Sequence, residues 1–155
     1  TVMFGAEFAH AHQGAAHHRQ LKNLDLGSRR NRDLLVLRAC TELTRRFLDN
    51  RGPTPRDDLA DALAVPTAAL AEALQPVVDA GIVAETEVDD QSAWVFAHDP
   101  QSTTMGDVLG PVHGTRDVDG SDPVEKSYAR LLGSLRNSEA NRDLASIARA
   151  GDDDA

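Results

Sequence analysis

Glu7, His10, His12, His17 and His18 form the densest set of metal-ligating and proton-transferring side chains in the sequence, with four of the six histidines inside nine residues. On a helix, Glu7 and His10 lie three apart on one face, and His17 follows His10 by seven. Seven residues rise about 10 Å, more than one ion held about 2.1 Å from each nitrogen can bridge. A metal there needs ligands from a second helix; without them the group reads as polar residues at a helix end near water. Cys40 stands on an apolar stripe with Leu37 and Leu43, the position of a core residue rather than a nucleophile. A single cysteine excludes an internal disulfide framework and any multi-thiolate metal site. Trp94 reads as a core anchor between sheet and helix, and His98 and His113 stand alone. There is no phosphate loop, dinucleotide fingerprint, zinc-protease helix or nucleophile elbow. The reading is of a non-enzymatic chain with no catalytic, cofactor or metal residues.

Periodicity supplies the elements. Residues 1–16 are small and apolar around Glu7, His10, His12 and Gln13, as at the end of a helix, and 23–32 read as a linker broken at Gly27-Ser28. Asp33 is placed to cap a helix with Leu34, Leu35, Leu37, Cys40, Leu43 and Phe47 at spacings of three and four, ending near Asn50 before Gly52-Pro53. Thr54-Pro55 before Arg56, Asp57 and Asp58 predicts a helix start. Val65-Pro66-Thr67 predicts a break and a third helix over Leu70, Leu74, Val77 and Val78, which Pro76 either kinks or marks in its last turn, with Gly81 as its cap. Two strands, 82–88 and 92–98, predict an antiparallel hairpin. Thr103 or Thr104 caps a helix through Val108 that ends at Gly110-Pro111. Pro123 opens another with Val124, Tyr128, Leu131 and Leu135, and a last amphipathic stretch starts at Ser138 and Glu139. Three helices followed by a hairpin make a winged-helix-like domain over 33–101 in a mainly α (α+β) chain, with accessory helices and an acidic tail over 102–155.

The 155 residues carry a net charge of −9, divided unevenly. Residues 1–32 sum to +3 through Arg19, Lys22, Arg29, Arg30 and Arg32; 33–101 sum to −8 and 102–155 to −4. A winged helix most often binds DNA through its third helix, and phosphate contact rests on Lys and Arg. From Thr67 to Val83 neither occurs, and the wing carries Glu87, Asp89 and Asp90. That distribution predicts that nucleic acid is not a partner and that the fold serves protein contact or self-association. A soluble winged-helix transcription regulator is the alternative. No run of about 18 apolar residues forms a complete membrane span, and Thr1 is not followed by a signal peptide.

Val2-Met3-Phe4 followed by Gly5-Ala6-Glu7-Phe8, then a basic stretch and a winged-helix-like tail, resembles the YihY/BrkB family of bacterial inner-membrane proteins, also called ribonuclease BN-like. Leu59-Ala60, Ala80-Gly81-Ile82-Val83 and the segment from Thr104 to Leu109 are also similar, and these features are shared with soluble winged-helix regulators. The resemblance covers residues 1 to about 112. It implies that 1–22 are the end of a last transmembrane helix and its juxtamembrane segment, that 23–32 are a basic linker, and that membrane helices precede Thr1. It also implies lipid as a partner, a cytoplasmic C-terminal region at the inner membrane, and a possible transport or envelope role with partner or homo-oligomer contacts. Arg19, Lys22, Arg29, Arg30 and Arg32 agree with that orientation. Glu7 is the residue the family motif singles out, either functional within the membrane or a helix-interface group. No acidic metal triad supports the ribonuclease label.

Overall fold

A computed structural model of the protein describes residues 28–114 and 122–153. The elements run α1 (Arg29–Leu48), β1 (Thr54–Pro55), α2 (Arg56–Leu63), α3 (Thr67–Asp79), β2 (Val83–Val88), β3 (Gln91–Phe96), α4 (Met105–His113), α5 (Pro123–Arg136) and α6 (Leu144–Asp153). The order helix, strand, two helices and a hairpin is that of a winged helix, extended by three helices. The fold is mainly helical with one small antiparallel sheet.

α1 begins at Ser28 as N-cap, one turn before Asp33, so Arg29, Arg30 and Arg32 occupy a helical turn rather than a linker. Its inward stripe is Leu35, Val36, Ala39, Cys40, Leu43 and Thr44, the three-and-four spacing that keeps one helical face on a core. Thr54 and Pro55 pair as a short strand, opposite Trp94 and Ala93, where the sequence predicts a helix start. β3 is therefore the central strand, in the order β1-β3-β2. β2 and β3 run in register from Val83 opposite Phe96 to Val88 opposite Gln91, joined by Asp89 and Asp90, both at positive φ (51° and 61°). Two such residues make the hairpin turn whose twist matches the strands.

α2 and α3 meet at Ala64, a left-handed C-cap with φ 54°, and the Val65 amide donates to the Ala60 carbonyl at 3.0 Å. Pro76 lies inside α3 without ending it. Gly81, at φ +73°, closes that helix while the Ile82 amide returns to the Val77 carbonyl at 3.0 Å, a left-handed cap of the kind glycine adopts most cheaply.

Leu59, Leu70, Leu74, Val77, Val83, Trp94 and Phe96 join the α1 stripe in one core, to which Val108 of α4 and Leu144 of α6 also belong. α4 runs past Gly110-Pro111 to His113. It starts on a capping box in which the Asp107 amide donates to Thr104 Oγ1 and the Thr104 amide donates to Asp107 Oδ2. Asp122 accepts from the Val124 amide at 3.0 Å to cap α5, with Pro123 in its first turn. α5 meets α4 through its C-terminal end. There Arg136 crosses Gly106 and Gly110, and a Cβ on Gly110 would sit 2.8 Å from Arg136 Nη2. Asn141 completes the joint: its Oδ1 accepts from the Gly106 amide at 2.8 Å, and its Nδ2 donates to Thr104 Oγ1 at 3.1 Å and to the Arg136 carbonyl at 2.7 Å. α6 starts at Leu144, six residues later than expected. The Asp143 carboxylate takes hydrogen bonds from the Ser146 hydroxyl and amide at its start, which hold that carboxyl below its ordinary value.

Candidate nucleic-acid interface

α3 presents Ala68, Glu72, Gln75 and Asp79 outward, the four-and-three spacing of one helical stripe. Its first residue is tied to α2, because Thr67 Oγ1 donates to Asp57 Oδ1 at 2.7 Å. Gln75 Nε2 donates to Asp79 Oδ1 at 2.8 Å. The stripe carries no cation of its own. A cation arrives from α1: Arg32 Nη2 lies 3.6 Å from Glu72 Oε1, which brings the first turn of α1, a turn that also carries Arg29 and Arg30, to the edge of α3. A shallow groove of about 90 Å³ runs between them, lined by Arg32, Leu35, Ala69, Glu72 and Ala73. Both partners of the ion pair are largely exposed, so it adds little stability and opens at little cost to a competing anion.

The wing is fastened to the start of α2. Arg56, the first residue of that helix, lies 5.0 Å over the Trp94 ring and donates to Glu85 Oε1 from Nη2. Trp94 Nε1 donates to the same oxygen at 3.3 Å. Cation, ring and carboxylate thus fix β2 and β3 against the helix pair. Glu87, Asp89 and Asp90 are exposed along the outer wing.

Gly5, Ala6, Glu7, Phe8, the histidines from His10 to His18, Arg19 and Lys22 lie outside the described residues. Among the described residues no cluster of three or more His, Cys, Asp or Glu could hold a metal. Cys40 is fully buried, and burial pushes its thiol up to about 12. Trp94 is a core anchor as expected, with the added bond to Glu85. His98 is exposed after β3. His113 is not alone: its Nε2 lies 2.9 Å from Asp33 Oδ2, joining the end of α4 to the first turns of α1. Sequence reasoning missed Arg56, Glu85 and the Arg136–Asn141 joint. The first two carry a signal, an arginine at a helix start and the regular alternation of β2; the third has none until α4 and α5 are packed.

α5 has no buried residue. Val124, Tyr128, Leu131 and Leu135 stand 73%, 50%, 56% and 59% exposed at the four-three-four spacing of a helix-pairing seam.

No family model and no curated protein matches the chain. Solved structures do. IscR from T. potens is similar at 16% identity and TM-score 0.59, over 77% of this chain and 85% of that one. CymR (YrzC), the global cysteine regulator of B. subtilis, is similar at 18% and 0.55, over 77% and 94%. A Listeria innocua protein assigned as a transcriptional regulator is similar at 20% and 0.57, over 76% and 83%. These findings correct the YihY/BrkB resemblance, the inner-membrane placement and the lipid partnership drawn from it. The neighbours are regulators, and no helix among the described residues is long and apolar enough to cross a membrane, charged side chains interrupting even the 20-residue α1. They likewise overturn the reading of a protein-contact module to which nucleic acid is foreign. At such identities the likeness establishes the winged-helix fold.

Proposed function

We propose that the chain is a winged-helix transcription regulator that contacts duplex DNA through α3 and the first turn of α1. The observation that carries this is the contact of Arg32, in an arginine-bearing first turn of α1, with Glu72 on the outward stripe of α3, on a fold shared with regulators. The charge for phosphates then comes from a neighbouring helix, and α3 offers Gln75, a side chain able to pair with adenine in a major groove. The local repulsion from Glu72 is relieved by Arg32. The regulators named above support the reading by analogy of fold. The α5 seam supports pairing of two copies, since paired reading heads suit a two-fold symmetric DNA site.

The test is binding to a fluorescent duplex across a salt series. Each copy contributes three phosphate contacts, so the slope of log K against log salt falls by roughly 3 per copy when Arg29, Arg30 and Arg32 are changed together to Gln. Leu131→Glu leaves the fold intact, lowers the mass measured by sedimentation to that of one copy, and weakens DNA binding. Affinity indifferent to salt and to the three arginines refutes the proposal.

A further inference from the structure

A cavity lies at the opposite end of α1 from Arg29. It measures about 250 Å³. Leu43, Phe47, Trp94 and Phe96 give it apolar walls, and Arg46 and Arg51 add two guanidinium groups. It opens because β1 covers only Trp94 and Ala93 of the central strand, leaving β3 from Val95 onward facing the end of α1. Arg46 lies about 25 Å from Arg30 along the helix, at 1.5 Å per residue. It is therefore remote from the proposed DNA contact.

We propose that this cavity binds a small aromatic monocarboxylate. Arg46 gives its Nε to Glu42 at 3.2 Å, which leaves its terminal nitrogens for a carboxylate. Arg51 holds Asp49 only at 3.5 Å, with both groups largely in water, a pair that an incoming anion displaces cheaply. A planar carboxylate matches the guanidinium fork. Phe47 is 44% exposed at the cavity, an uncovered ring that an aromatic ligand would stack against. The volume sits below the usual range for drug-sized ligands, which favours one ring or two. An occupant also touches Trp94, whose indole is bonded to Glu85 and lies under Arg56. Binding therefore reaches the wing and the start of α2. As regulation of DNA binding this rests on the function proposed above; as a binding site it does not.

Trp94 is the sole tryptophan, so its fluorescence reports occupancy directly. Benzoate is the probe, with benzyl alcohol and acetate supplying the ring and the carboxylate separately. The expected result is saturable quenching by benzoate with a midpoint at least tenfold below that of either half. The double change Arg46→Gln with Arg51→Gln brings benzoate to the level of benzyl alcohol. Gly52 lines the cavity, and a Cβ there meets no atom within 4 Å, so Gly52→Leu fills the space and removes the response to both ring-bearing probes. Far-UV circular dichroism checks that each variant is folded; should Gly52→Leu not fold, the half-ligand comparison and the arginine pair decide. Quenching that rises linearly without saturation, or is equal for benzoate and benzyl alcohol, overturns the site. Saturable benzoate binding that leaves duplex affinity unchanged overturns the regulatory role alone, and absence of duplex binding both with and without benzoate overturns the regulator reading while the fluorescence result stands.

Discussion

Replacing Asn141 with alanine tests how α5 and α6 are held to the winged-helix body. The side chain spans three hydrogen bonds: from the Gly106 amide at 2.8 Å, to Thr104 Oγ1 at 3.1 Å and to the Arg136 carbonyl at 2.7 Å. Gly106 is in the first turn of α4, where an amide has no partner within the helix; Asn141 is therefore a remote cap. Each bond contributes about 1 kcal/mol net, and water can replace the one to the exposed Arg136 carbonyl, so the loss is about 2 kcal/mol. For a chain of this size that lowers Tm by roughly 5 °C. Urea unfolding gives the energy, with an unchanged slope showing that the same surface unfolds. Asn141→Asp keeps the acceptor for Gly106 and loses both donations, and falls between wild type and alanine. Hydrogen exchange at the Gly106 amide accelerates in Asn141→Ala and much less in Asn141→Asp. A loss below about 0.5 kcal/mol, with exchange at Gly106 unaltered, refutes the reasoning.

Other outcomes follow from single features. Ala64 holds a left-handed backbone without being glycine, so Ala64→Gly raises stability by about 1 kcal/mol in urea unfolding; a decrease contradicts the strain. Cys40, buried and with its thiol pushed up to about 12, resists iodoacetamide at pH 8 in the native protein and reacts once urea unfolds it. The Asp143 carboxyl is held below its ordinary value of 3.8 by the Ser146 hydroxyl and amide. The stability it contributes is complete above 3.8 and is lost as pH falls through the lower folded value. Asp143→Asn makes the acid limb of the stability profile shallower, and an unchanged limb argues against the linkage.

The amphipathic helices and the wing were legible because their signals are local: the α1 stripe, the threonine pair before Met105, Pro123 at a first turn, and the apolar run at Trp94. β1 was not, since Thr54-Pro55 reads as a helix start and becomes a strand only by pairing with β3. The same limit governed the proposed interface. α3 has no base, and charge counted along the chain argued against DNA; packing then sets Arg32 beside Glu72, a proximity 40 positions apart in sequence. The run from Thr104 to Leu109, part of the membrane-family likeness, is explained by geometry. It is a capping box followed by a glycine that faces Arg136 and Asn141, a pattern that any helix docked so closely needs.

α6 packs along α1, and its Leu144, Ala145 and Ala148 are buried. The two halves of that contact are separated by about a hundred residues of chain. During synthesis α1 therefore emerges long before the surface that completes its burial, and the helix pair and wing must form against an unfinished core. Loop closure over such a span is slow compared with local helix formation, so final consolidation waits for the C-terminal residues. A chain stopped after β3 would leave uncovered the part of α1 that α6 packs against.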